Sequence, residues 1–115
     1  MQIISLNEQT VIEIINSKQE SYKLAFSYNY NRQGWFIDIV SDSFKIYGLR
    51  ITCNSNILRQ WKDKLGFGIA IEAENDLEPF FQEDFLTERA KIYLLEPSDL
   101  EDQDNLLKGM INEQY

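Results

Sequence analysis

Nineteen carboxylates, one thiol and no histidine are what this 115-residue chain offers for chemistry. Two carboxylates at the right separation can serve as acid and base on a glycosidic bond, but only when a cleft holds them there. Acids are so numerous here that candidate pairs single nothing out. Cys53, the only cysteine, has no partner in the chain for a disulfide, no companions for a zinc site and no imidazole to activate it. Asp99-x-Glu101-x-Gln103 opens like a calcium loop, yet Asp104 replaces the glycine at position six and Met110 the glutamate at position twelve. Gly66-Phe67-Gly68 lacks the further glycine and the Lys-Ser/Thr of a phosphate loop. The expectation is a protein that is not an enzyme, with no catalytic residue, no metal and no cofactor. A small cell-wall hydrolase, the enzymatic reading, would have to show lytic activity abolished by single Asp or Glu changes.

The charge narrows the partners. Eleven Lys and Arg against 19 Asp and Glu give a net charge of −8, the wrong sign for phosphate backbones or anionic membranes. We expect no nucleic acid by direct recognition and no membrane. The acidity is local: residues 1–71 carry 6 acids and 8 bases, whereas residues 72–115 carry 13 acids and 3 bases. Met1–Glu8 has neither the basic start nor the apolar run of a signal peptide, and no stretch approaches the roughly 20 apolar residues of a membrane span. The expected product is soluble and made in a cytoplasm.

The elements follow from alternation. From Ser21 to Tyr30, Tyr22, Leu24, Phe26, Tyr28 and Tyr30 share one face, as in a half-buried strand. Asn31-Arg32-Gln33-Gly34 reads as the turn, with positive φ assigned to its Asn and Gly, and Trp35–Ser41 as the return strand. That turn sets Tyr30 opposite Trp35, Tyr28 opposite Ile37 and Phe26 opposite Ile39. A second turn at Asp42-Ser43 brings back Phe44–Asn54, with Ile46 beside Ile39 and Gly48 beside Ile37. Gly48 either leaves room near the Trp35 ring or marks a bulge, and a bulge would swing Leu49, Ile51 and Cys53 onto the apolar face. The opposite face carries Phe36, Val40, Tyr47 and Leu49, so the sheet must close or stack. Asp38, among those neighbours, reads as a carboxylate satisfied by Tyr47, Lys45 or backbone.

Further strands are expected over Thr10–Ile15, Phe67–Ala73 and Lys91–Leu95, with a short helix or irregular connection over Ile57–Lys62. Leu77–Leu86 is a connection; Phe80 and Phe81 within it read first as core plugs and second as an exposed interaction patch. The fold class is mainly β: a small antiparallel barrel or sandwich with a short helix. Glu96-Pro97-Ser98-Asp99 marks the edge of this 1–97 domain. Residues 98–115 form an acidic tail or a short amphipathic helix opened by a Ser98-x-x-Glu101 box, and Leu106 and Leu107 are its docking candidates.

Tyr28-Asn29-Tyr30-Asn31-Arg32-Gln33-Gly34-Trp35-Phe36-Ile37-Asp38-Ile39, followed by Ile46-Tyr47-Gly48-Leu49-Arg50-Ile51, resembles the small baseplate plug family of contractile phage tails, whose domain takes its name from a cyanophage. The resemblance spans about residues 3–95 and rests on the order and spacing of Trp35, Asp38 and Gly48. It implies a β-rich structural virion component without enzymatic motif, plugging the central channel of a baseplate between tail tube, hub and spike, or the same place in a related injection device. The partners it implies are those hub, tube and spike proteins, met by several symmetric copies in the virion after synthesis in the host bacterial cytoplasm. The alternative is a free acidic adaptor or inhibitor that covers a basic surface of a host protein with residues 72–115. Salt separates the two: the adaptor's binding weakens with ionic strength, the plug's apolar contacts do not.

Overall fold

The computed structural model describes residues 2–6, 9–16 and 18–113, without the side chains of Gln9, Asp76 and residues 107–113. Seven strands run in chain order: β1 (Gln2–Ile4), β2 (Gln9–Ile15), β3 (Ser21–Asn29), β4 (Gly34–Val40), β5 (Lys45–Arg50), β6 (Gly68–Ala73) and β7 (Ala90–Leu95). All pairings are antiparallel, in one sheet ordered β2-β3-β4-β5 and another ordered β1-β7-β6. Neither sheet closes on itself, so of the two expected architectures the sandwich is the one formed.

The core lies between the sheets. Tyr22, Leu24 and Phe26 of β3 and Trp35, Ile37 and Ile39 of β4 are fully buried against Ile69, Ile71 and Ile92 of the smaller sheet. Period two explains β3: its even-numbered residues from Tyr22 to Phe26 are buried, while Ser21 and Lys23 are exposed.

Three sequence expectations are corrected here. The β3–β4 register is Tyr28↔Trp35, Phe26↔Ile37 and Leu24↔Ile39, two residues from the one expected, because β3 stops at Asn29. The Asn29 side chain accepts a hydrogen bond from the Arg32 backbone N–H at 3.0 Å and so folds the loop Tyr30–Gln33 early. A slip of two leaves every side chain on its expected face, where a slip of one would have inverted the sheet. Positive φ falls at Gln33, not Gly34; the space beside Gly34 is taken by the Arg50 guanidinium, which would have to shift to admit a Cβ. The third correction concerns the C-terminal box. Helix α2 spans Pro97–Glu113, and it is the Asp99 carboxylate that accepts the Glu96 N–H at 2.9 Å. Proline at the first helical position, with its preset φ, starts the helix ahead of Ser98.

Strand β1 was not anticipated. It is three residues long and pairs with β7, Ile3 opposite Tyr93. The connection after β5 contains a 3-10 turn at Arg59–Trp61 and helix α1 (Lys62–Leu65). Helix α2 is fastened to this connection by polar contacts: Lys62 Nζ lies 2.8 Å from the Asp104 carboxylate, and Gln103 Nε2 donates to the Ser55 carbonyl at 3.0 Å.

Candidate interaction surface

The residues nominated from sequence divide into three places: a bulge in β5, the surroundings of Trp35, and helix α2. Ile37 pairs with Leu49 and Ile39 with Ile46, so Tyr47 and Gly48 together oppose Asp38. Gly48 has φ +67°, the left-handed region that favours glycine. The space beside it is open, the nearest atom to an added Cβ being an Arg32 nitrogen at 3.8 Å; of the two readings of Gly48, the bulge is the one the backbone requires. Asp38 fixes it, one carboxylate oxygen accepting the Gly48 N–H at 2.7 Å. The bulge turns Leu49 toward the core and brings Ile51 into it, which removes Leu49 from the outer face where the expected pattern also placed it.

On that outer face Phe36 is buried by cations. The guanidinium carbons of Arg32 and Arg50 lie 4.1 and 4.8 Å from its ring centroid, the geometry of cation–π attraction. Arg50 also donates to the Arg32 carbonyl at 2.8 Å and to the Gln33 carbonyl at 3.3 Å, tying the β3–β4 loop to β5. Tyr47 stays exposed.

The second place surrounds Trp35, which is wholly buried. Tyr30, Tyr28, Trp35 and Phe85 form a chain of edge-to-face rings with centroids 5.0, 5.7 and 5.5 Å apart, leading from solvent into the core. Over it passes the β6–β7 connection. Trp35 Nε1 donates to the Phe81 carbonyl at 3.3 Å, and the Tyr28 hydroxyl donates to the Phe80 carbonyl at 2.5 Å. The Tyr30 hydroxyl donates to Gln82 Oε1. With their carbonyls turned inward, Phe80 and Phe81 point their rings out: they are 49% and 62% exposed. The first reading of these two as core plugs is therefore wrong. Phe85, unremarked in the sequence, is the residue that plugs the core. Tyr30, Phe80 and Phe81 are a rim of exposed aromatic surface at the β3–β4 turn end of the sandwich.

Sequence reasoning also missed what holds this rim. Asp84 is buried, accepts the Phe81 N–H at 2.9 Å and pairs with Arg89 at 2.9 Å. Burial pushes its pKa up, but the Arg89 hydrogen bond, the Phe81 N–H and the Arg89 charge outweigh it and hold the carboxyl below its ordinary value. Arg89 donates further to the carbonyls of Leu77 and Glu78 at 3.2 and 3.1 Å. The Glu78 carboxylate in turn accepts the Cys53 N–H at 2.8 Å. One signal was available: Arg89 is one of only three bases among residues 72–115.

Of the two helix residues nominated, Leu106 is 68% exposed on α2, and the side chain of Leu107 lies outside the described residues. Among the described residues no three potential metal ligands converge, and no helix is long and apolar enough to cross a membrane. Asp38 is committed to the bulge and Asp84 to Arg89.

The pattern of one family, described as cyanophage baseplate Pam3 plug gp18, matches residues 1–97, and the chain belongs to that family of baseplate plug proteins. Its role is structural, in a virion tail baseplate. No curated protein matches the chain.

Proposed function

We propose that this protein fills the central channel of a contractile-tail baseplate, between tail tube, hub and spike, and meets those neighbours through the rim formed by Tyr30, Phe80 and Phe81. The observation that carries the reading is the family match over residues 1–97. The rim supports it: two large rings stand in solvent on a connection that Arg89, Trp35 and Tyr28 fix in place, and a third, Tyr30, stands beside them on the β3–β4 turn, so docking costs little ordering entropy. Aromatic side chains on a rigid support are the usual anchors of protein interfaces. Residues 98–115 serve as an appendage of this chain, since the family match stops at residue 97 and α2 starts there.

The test is assembly. Phage carrying Phe80→Ser with Phe81→Ser should produce tail particles that lack the protein on gradient sedimentation, or tails that leak or fail to assemble, while the isolated variant folds normally. Binding to tail proteins should persist in high salt. Intact, infectious particles that never contain the wild-type protein would sink the proposal, and salt-labile capture by a basic host protein would point to the adaptor instead.

A further inference from the structure

The sandwich has four sheet edges, and three are blunted. The β5 edge carries the Tyr47–Gly48 bulge. The β6 edge is covered by the chain after β5: Asn54 exchanges two backbone hydrogen bonds with Ile71, and Ile57 N–H donates to the Ile69 carbonyl. The β1 edge is three residues long. Bulges, coverings and short strands are among the means by which soluble proteins prevent sheets from adding to one another, charged side chains being another. Among the described residues strand β2 has no bulge and no covering, and Glu13 is its one charge. The strand runs seven residues without proline, and among the described residues the main-chain hydrogen bonds of Val11–Ile15 go only to β3. Its outer face bears Val11 and Ile15, each 63% exposed, on either side of Glu13.

We propose that β2 is an interface for a second copy of this chain, the two β2 strands pairing antiparallel about a two-fold axis so that the larger sheets join into one of eight strands. The outward amide and carbonyl groups of a strand edge are complementary to another extended backbone, and the sequence of β2 fits its own. In a two-fold pair the directly opposed residues share a face, so the axis passes beside one residue and its copy. An axis at Glu13 would set two carboxylates against each other, a destabilising pair. An axis at Ile12 opposes Ile12 to Ile12 and Val11 to Glu13, and brings no like charges together. Ile12 and Ile14 pack partly buried against the core, and their copies would extend the same apolar layer. The interface lies on a different element from the aromatic rim and does not depend on the channel role.

The register makes the test specific. Val11 is exposed in the single chain, so neither Val11→Glu nor Val11→Lys should alter the melting temperature of the monomer. In the pair, position 11 faces Glu13 twice. Sedimentation velocity over a concentration series should show a wild-type dimer, weakened about 3- to 10-fold by Val11→Glu and tightened by Val11→Lys. A wild-type protein that is monomeric at every attainable concentration overturns the proposal and leaves the edge to a strand of another protein. A dimer that both variants change alike, or that neither changes, overturns it as well.

Discussion

Trp35 and Phe81 are joined by a hydrogen bond from the indole nitrogen to a carbonyl, yet the Trp35 ring is wholly buried and the Phe81 ring stands mostly in water. The same contrast separates Tyr22, Phe26 and Phe85 from Tyr30 and Phe80. The difference is one of support. Tyr22, Phe26 and Trp35 hang from strands whose period of two aims them inward, and Phe85 reaches the same core from the β6–β7 connection, while the rim rings sit on a turn and on that connection, whose backbone is bound from below. Aromatic content in a small protein can therefore hold the fold or stay clear of it, and the main chain decides which.

Variants separate the two uses, the largest effect coming from the core. Trp35→Ala removes a buried ring that touches both Tyr28 and Phe85 and should cost about 3–5 kcal/mol in urea unfolding. Arg89→Ala takes the cation from the buried Asp84 carboxylate, leaving it the Phe81 N–H, and the donor from two loop carbonyls; a loss of about 2–3 kcal/mol, with faster amide exchange over residues 77–89, is expected. The Asp84 pair also gives an acid limit. Because its pKa is lowered by folding, the stability it contributes is full above the unfolded value of about 3.9 and is lost as pH falls through the native value. Wild type should thus lose stability in that acid window, and Asp84→Asn should flatten the dependence there. Gly48→Ala forces a side chain into left-handed backbone and should cost about 1–2 kcal/mol by thermal melting. Phe80→Ser with Phe81→Ser comes last for stability, within about 0.5 kcal/mol of wild type, while abolishing incorporation into tails. If the rim double variant unfolded the protein as Trp35→Ala does, the contrast between the two sets of rings would collapse.

What the sequence disclosed follows the same division. Strands β3 and β4, their shared core face and the Ile39↔Ile46 pair were legible because alternation over many residues averages out local error. Asp38 was legible as a satisfied carboxylate, and Gly48 as either a bulge or room beside the Trp35 ring, since a glycine within a strand invites that question; the backbone chose between the two. Phe85 could not be told from Phe80 and Phe81, as the connection has no period and its path depends on Arg89 reaching three partners. Strand β1 escaped because three residues display no alternation, and Ser98 drew attention from Asp99 because both fit a box.

The β6–β7 connection is grasped through its carbonyl oxygens: Phe80 by Tyr28, Phe81 by Trp35, Leu77 and Glu78 by Arg89. A carbonyl is the same whatever side chain stands beside it. Positions 80 and 81 are thereby released from the demands of folding, and a lineage can rewrite them to follow a changing neighbour without renegotiating the scaffold that presents them.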